Sequence, residues 1–151
     1  MFKKNYLRAL TLGLLIPCAA ASYSYADGKS DLTIPVKSIT QNASFIPVEA
    51  DGTKMEIIAV RDSNGEIRTA FNTCQVCNGS ELAYYKQSGN QLVCQNCGNR
   101  FSMDRVGVSA GGCNPYPILE NERTITDDEV IIPETLLKKA KDIFASWKVE
   151  Y

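Results

Sequence analysis

Two Cys-x-x-Cys pairs constrain this chain more than any other feature: Cys74-Gln-Val-Cys77, sixteen intervening residues, then Cys94-Gln-Asn-Cys97 with Gly98 directly after. In such a turn the two sulfurs face the same side of a tight loop and the intervening backbone N–H groups turn toward them. Each pair therefore offers half of a tetrahedral thiolate site. The separation of the pairs falls in the window read as a four-cysteine metal site. Gly98 suits the positive-φ position that closes such a knuckle, and Asn78-Gly79 is expected to do the same after the first pair. The competing reading of paired cysteines is two disulfides, structural or redox. A fifth cysteine follows in Gly111-Gly112-Cys113-Asn114-Pro115. With four ligands already supplied, Cys113 is a replaceable ligand, a redox partner for one of the four, or a buried thiol. Its two glycines are expected to let the backbone approach the metal closely, with Pro115 stiffening the loop.

The chain has no histidine. This excludes Ser-His-Asp and Cys-His catalytic sets, zinc proteases of the His-Glu-x-x-His type, c-type haem attachment and His-ligated copper. Only sulfur and oxygen ligands remain, and both iron and zinc accept four thiolates. Asp104, Glu120 and Asp127-Asp128-Glu129 share no ligand-loop spacing and read as a solvated face.

The N-terminus bears on the redox compartment. Lys3, Lys4 and Arg8 precede an apolar run from Ala9 to Ala21, and Ser24-Tyr25-Ala26 fits a signal-peptidase site before Asp27. Residues 1–26 are therefore read as a signal peptide and 27–151 as a single cysteine-rich, metal- or iron-sulfur-binding domain. The protein is expected to be exported, to a periplasm or the outer face of the cytoplasmic membrane. Gly13 and Pro17 interrupt the run and make an uncleaved anchor the weaker reading. Pro17 likewise makes Cys18 a poor lipid-attachment site. Of 16 Lys and Arg against 17 Asp and Glu, three basic residues precede Asp27, which leaves 13 against 17, a net charge of −4. With no Lys/Arg-rich stretch, nucleic acid is not an expected partner.

Hydrophobic patterning predicts a mainly β fold: a small antiparallel domain with two cysteine-knuckle loops plus one C-terminal amphipathic helix. The site itself resembles, by its knuckle loops, a Rieske-like or rubredoxin/zinc-ribbon-like one. Leu32, Ile34 and Val36 alternate around Pro35 as an edge strand. Phe45–Val48 is a second strand, ended by Asp51-Gly52. Met55–Val60 is expected to turn through Asn64-Gly65, both at positive φ, into Ile67–Phe71, which delivers Cys74. Leu82–Lys86 and Gln91–Cys94 should form a second hairpin that carries the other knuckle, with Phe101 and Met103 continuing in extended form. Tyr84, Tyr85, Phe101 and Tyr116 are expected to wall in the cysteines. After Tyr116–Leu119 and a charged loop, Glu129–Ile132 reads as the last strand. Pro133 is placed in the first turn of one helix that buries Leu136, Leu137, Ala140, Ile143, Phe144 and Trp147.

The string from Arg68 to Cys77, with Leu92-Val-Cys-Gln-Asn-Cys-Gly98 and Gly111-Gly-Cys-Asn-Pro115, resembles the FtrD-like membrane iron-sulfur domain family. All three cysteine motifs match in order. The resemblance implies that Cys74, Cys77, Cys94, Cys97 and Cys113 are the functional residues. It also implies an association with bacterial ferrous-iron uptake, with an iron permease, a periplasmic iron-binding protein and a cupredoxin as partners. Many members carry the domain at the end of a multi-span membrane protein, so membrane association enters as an expectation. The hairpin-mounted loops are further similar, as an analogy, to the Rieske arrangement with cysteines in place of its histidines, and four thiolates would lower the potential.

The leading expectation is an exported, non-enzymatic electron carrier or metal-handling protein. Cys74, Cys77, Cys94 and Cys97 would hold an iron-sulfur cluster or a mononuclear iron. The alternatives are a structural zinc ribbon and a thiol-disulfide oxidoreductase, the latter without the βαβ context of thioredoxin-like motifs.

Overall fold

In the run Met55-Glu-Ile-Ile-Ala-Val60 apolar side chains point both ways along the pleat, a pattern that suits a strand covered on both faces. The computed structural model describes residues 30–148 and places this run at the centre. The expected signal segment 1–26, with Cys18, lies outside the described residues. The strands are β1 (Leu32–Pro35), β2 (Ser44–Ala50), β3 (Thr53–Arg61), β4 (Ile67–Cys74), β5 (Tyr85–Ser88), β6 (Gln91–Cys94), β7 (Arg100–Ser102), β8 (Pro115–Pro117), β9 (Thr124–Ile125) and β10 (Glu129–Ile132). A single α-helix, α1 (Glu134–Ala140), follows them.

They form three antiparallel sheets. The central one has the order β2-β3-β4-β8, and the flanking ones β1-β10-β9 and β5-β6-β7. Alternate residues of β3 and β4 face opposite layers. Met55, Ile57, Ala59 and Phe71 pack with β1, β10 and the helical segment, whereas Ile58, Val60, Ala70 and Cys74 pack with β5, β6 and β7. Ile57 and Ile58 are both fully buried, and each such side chain contributes about 1.5–3 kcal/mol. The expected mainly β fold with one short C-terminal helix is therefore present.

Several local expectations are corrected. The turn with two positive-φ residues is Asp51-Gly52 (φ 49° and 79°), between the paired Ala50 and Thr53. At the next hairpin only Gly65 is at positive φ (86°), because Asp62 organises that loop instead. The Asp62 carboxylate accepts the N–H groups of Asn64 and Glu66 (2.9 Å each) and pairs with Arg68, so no second left-handed residue is required. Strand β5 starts at Tyr85 rather than Leu82 and turns through Gly89-Asn90, with Gly89 at φ 62°. Met103 opens a 3-10 turn instead of extending β7. Pro133 stands before the helix at φ −62° and ψ 140°, and the Glu134 N–H is accepted by the Asp31 carboxylate. The α-helix ends at Ala140 and tightens into a 3-10 turn, Lys141–Phe144. The expected apolar stripe is nonetheless present, with Leu137, Ala140 and Phe144 buried.

One glycine is required by contact as well as conformation. Gly107 sits at φ +68°, and a Cβ there would run into the Thr69 carbonyl oxygen and lie 3.2 Å from that of Ile118. Gly107→Ala is expected to cost about 2 kcal/mol or more. Gly79→Ala, in open space at ordinary φ, should change stability by less than about 0.5 kcal/mol. Thermal or urea unfolding compares the two.

Asp62 sets a pH dependence. Burial pushes its carboxyl up, but the N–H groups of Glu66 and Asn64 and the Arg68 guanidinium outweigh burial and hold it below the ordinary range. A depressed folded-state value stabilises fully above the unfolded value of about 3.9 and fades as pH falls through the folded one. Asp62→Asn is thus expected to lose about 2 kcal/mol near neutrality. Its gap to the unsubstituted protein should close below about pH 4 in denaturant melts.

Candidate metal centre

The central sheet delivers the first knuckle. Between Phe71 and Cys74 the register of β4 against β8 slips: Phe71 pairs with Tyr116 and Cys74 with Pro115. An irregularity of this kind re-aims side chains at a strand end. Here Cys74 turns into the layer that holds Cys94, and both are buried, at 0% and 1% exposure. The second knuckle is the connection between β6 and β7. The Cys94 N–H donates to the Asn99 carbonyl, and the Gly98 N–H to the Cys94 carbonyl (2.9 Å each).

All five cysteines of the described residues are free thiols and come together. The sulfurs of Cys74, Cys77 and Cys94 lie within 4.8 Å of one another, and so do those of Cys77, Cys97 and Cys113. The five thus fall into two sets of three that share Cys77, an inner set and an outer one. Cys97 is exposed, and Cys77 and Cys113 are half-buried.

The backbone bonds expected of the knuckles are present. The N–H groups of Cys77 and Val76 point at the Cys74 sulfur, and those of Cys97 and Asn96 at the Cys94 sulfur. The second cysteine of each pair is treated differently. Gly98 takes φ 72° as expected, and the Asn99 N–H reaches the Cys97 sulfur. After the first pair neither Asn78 nor Gly79 is at positive φ. The Cys77 sulfur instead receives the side chain of Asn96 from the other knuckle. The two loops are also tied by Ser80, whose hydroxyl donates to Asn96 Oδ1 (2.8 Å).

The third loop is held by polar contacts. The Gln75 N–H donates to the Asn114 carbonyl (3.0 Å), and the Gly111 N–H to Gln75 Oε1 (2.9 Å). The Cys113 carbonyl accepts from the Tyr85 hydroxyl (2.9 Å) and Asn99 Nδ2 (2.8 Å). Gly111 and Gly112 are at φ 114° and 73°; a side chain at Gly111 would meet open space, and a Cβ at Gly112 would lie 3.9 Å from Asn114 Oδ1. Both angles are ones that glycine adopts at no steric cost. Of the expected aromatic wall, Tyr85 and Phe101 pack around Cys74 and Cys94. Tyr116 stacks edge-on against Phe71 on the opposite side (6.4 Å), and Tyr84 lies under Lys86 and Lys148.

Burial dominates the protonation of the thiols. It pushes Cys94 up to about 12 and Cys113, with the Cys74 sulfur nearby, up to about 11. Burial also raises Cys77, against the Asn96 contact. Cys74 is buried too, yet the polar Tyr85 hydroxyl beside it, shared with the Cys113 carbonyl, and the knuckle N–H groups hold it below its ordinary range. Cys97 is lowered, first by the Asn99 N–H. No lysine or arginine leads any of these shifts. A coordinated cation would supply the missing positive charge and hold the thiols deprotonated. The donor set, soft sulfur without histidine, suits iron, zinc or an iron-sulfur cluster.

Sequence reasoning passed over Asn72, Asn96, Asn99 and the hydroxyl of Tyr85. The available signal was the placement of Gln75, Asn96 and Asn99 within or next to the knuckles, and of Asn72 in an otherwise apolar strand.

No curated protein and no solved structure matches this chain. The family described as membrane iron-sulfur containing protein FtrD-like matches residues 36–144. That span runs from the end of β1 to the turn after α1 and includes all five clustered thiols. On that match, over most of its length, the chain belongs to the FtrD-like family of membrane iron-sulfur proteins.

Proposed function

We propose that this protein is an exported electron carrier that holds an iron-sulfur cluster, or a single iron, in its thiol cluster and serves a ferrous-iron uptake system. One observation carries the reading: five free thiols from three separate loops converge within a few ångströms, in a chain without histidine and of an iron-sulfur family. Cys74, Cys77 and Cys94 anchor the centre, and Cys97 and Cys113 complete its outward side. A thiolate-ligated iron centre supplies one-electron exchange.

The chain's own groups suit that task. Buried Cys74 and Cys94 sit at strand ends, where packing and strand pairing would keep reorganisation small. Backbone N–H groups aimed at sulfur stabilise added negative charge and raise the potential from the low value that all-thiolate ligation sets. Cys97 is exposed, so a partner can approach on that side. The signal-like N-terminus supports export, and the family resemblance supports an iron permease, a periplasmic iron-binding protein and a cupredoxin as partners. Among the described residues no helix is long and apolar enough to cross a membrane. Membrane association is therefore assigned to such a partner or to residues outside that range.

The test is visible absorption with iron and sulfide analysis of the full chain, produced and kept without oxygen. A coloured, iron-containing protein is expected, and Cys74→Ser or Cys94→Ser should lose at least about 90% of both colour and iron, because each removes a ligand from the buried inner set. One stoichiometric zinc and no colour would replace the carrier with a structural ribbon. Metal-free protein whose thiols have closed into disulfides would favour a thiol-disulfide function.

Metal removal gives a second check. The ligands join two sheets and the 111–115 loop, and a group that binds only the folded state stabilises it. Chelation under reducing conditions is expected to lower the melting temperature by about 5–10 °C, the equivalent of about 1–2 kcal/mol for a domain of this size.

A further inference from the structure

The five thiols fall into two sets of three that share Cys77. Cys74, Cys77 and Cys94 compose the inner set, and Cys77, Cys97 and Cys113 the outer. The inner set is the fixed one. Cys74 and Cys94 are buried at strand ends, and each sulfur is held by two backbone N–H groups. Beyond that set the outer thiols stand side by side at one place. The Cys97 thiol touches those of Cys94, Cys77 and Cys113.

A single residue holds the outer pair together. Asn99 aims its backbone N–H at the Cys97 sulfur and donates from its side chain to the Cys113 carbonyl (2.8 Å). The Cys113 loop is tethered on the carbonyl side by Tyr85 and Asn99. Its approach runs through Gly111 and Gly112, at φ 114° and 73°, where the Gly111 N–H is held by Gln75 Oε1 (2.9 Å). Backbone rotations at these two glycines would advance or withdraw the Cys113 sulfur at the cost of hydrogen bonds within this loop, without disturbing the buried inner set.

We propose that Cys97 and Cys113 are interchangeable donors for the one coordination position left open by Cys74, Cys77 and Cys94. This rests on the reading that the thiols hold a metal. In such an exchange the metal–sulfur bond to Cys97 would break as one to Cys113 formed, and the proton of the incoming Cys113 thiol would go to the departing Cys97 thiolate. No electron would be transferred, the number of thiolates would be unchanged, and the outward ligand position would turn over without release of the ion.

The experiment uses Co(II) as the probe, added without oxygen to the reduced, metal-free full chain, so it is independent of the cluster type. Sulfur-to-cobalt charge-transfer absorption scales with the number of bound thiolates. Four are expected in the unsubstituted protein and in each of Cys97→Ser and Cys113→Ser. The double variant should fall to about three quarters of that intensity, the share left by three thiolates of four. Circular dichroism confirms that the variants fold, and Gln95→Ala serves as a substitution control outside the ligand set. A fall in Cys97→Ser alone, or in Cys113→Ser alone, overturns the proposal by making that residue the sole fourth ligand. Full intensity in the double variant overturns it by placing the fourth ligand elsewhere. No cobalt binding by the unsubstituted protein sinks the metal reading itself, and the exchange with it.

Discussion

The metal centre depends on a buried amide. Asn72 is fully buried in β4, where its Oδ1 accepts the Tyr85 N–H (2.7 Å) and its Nδ2 donates to the Tyr85 carbonyl (3.2 Å). The side chain thus acts as an extra rung of ladder between two sheets that share no strand. Tyr85 pairs directly with Cys94, and Asn72 lies two residues before Cys74. This side chain, with the Cys74 N–H bond to the Ala83 carbonyl (2.9 Å), therefore ties together the sheets that carry the first cysteines of the two knuckles. The second N–H of the Asn72 amide donates to the Glu56 carboxylate (2.6 Å), and the main-chain carbonyl of Asn72 accepts from the Trp147 indole N–H (2.7 Å). A buried polar group with every partner in place rigidifies its surroundings, whereas a half-satisfied one destabilises them.

From that joint outward, burial decreases toward solvent. Cys74 and Cys94 are immobilised by strand pairing and burial. Cys77 takes a cross-loop contact from Asn96, and Cys97 and Cys113 occupy the solvent side. The gradient gives the thiol cluster a buried inner half and a solvent-facing outer half. The asymmetry between the knuckles follows from one backbone angle. Where Gly98 turns left-handed, the Asn99 N–H is free to face Cys97. Where Asn78 and Gly79 do not, a side chain from the other loop takes that role.

Much of the fold was legible because its signals are local. Alternation in Leu32–Ile34, the two-faced run Met55–Val60 and the apolar stripe of Leu137, Ala140 and Phe144 each follow from side-chain period alone. The errors arose where a side chain from elsewhere took over the local geometry. Asp62 replaced the left-handed pair expected at Asn64-Gly65, Asp31 accepted the first helical N–H after Pro133, and Arg123 supplied an anchor no pattern announced. Its guanidinium is buried and bonds Thr69 Oγ1 and the carbonyls of Ile67 and Ile118.

The sequence by itself determined the chemistry of the centre. Paired cysteines at this spacing, with no histidine in the chain, bring sulfur donors to the centre, and the N–H groups aimed at Cys74 and Cys94 follow from neighbours two and three residues on. Only the tertiary structure decided how the thiols are shared. The division into inner and outer sets, the place of Cys113 beside Cys97, and the Asn72 and Asn96 contacts join residues from different sheets and loops. Such long-range juxtaposition depends on how the three sheets stack, and side-chain period carries no information about that stacking.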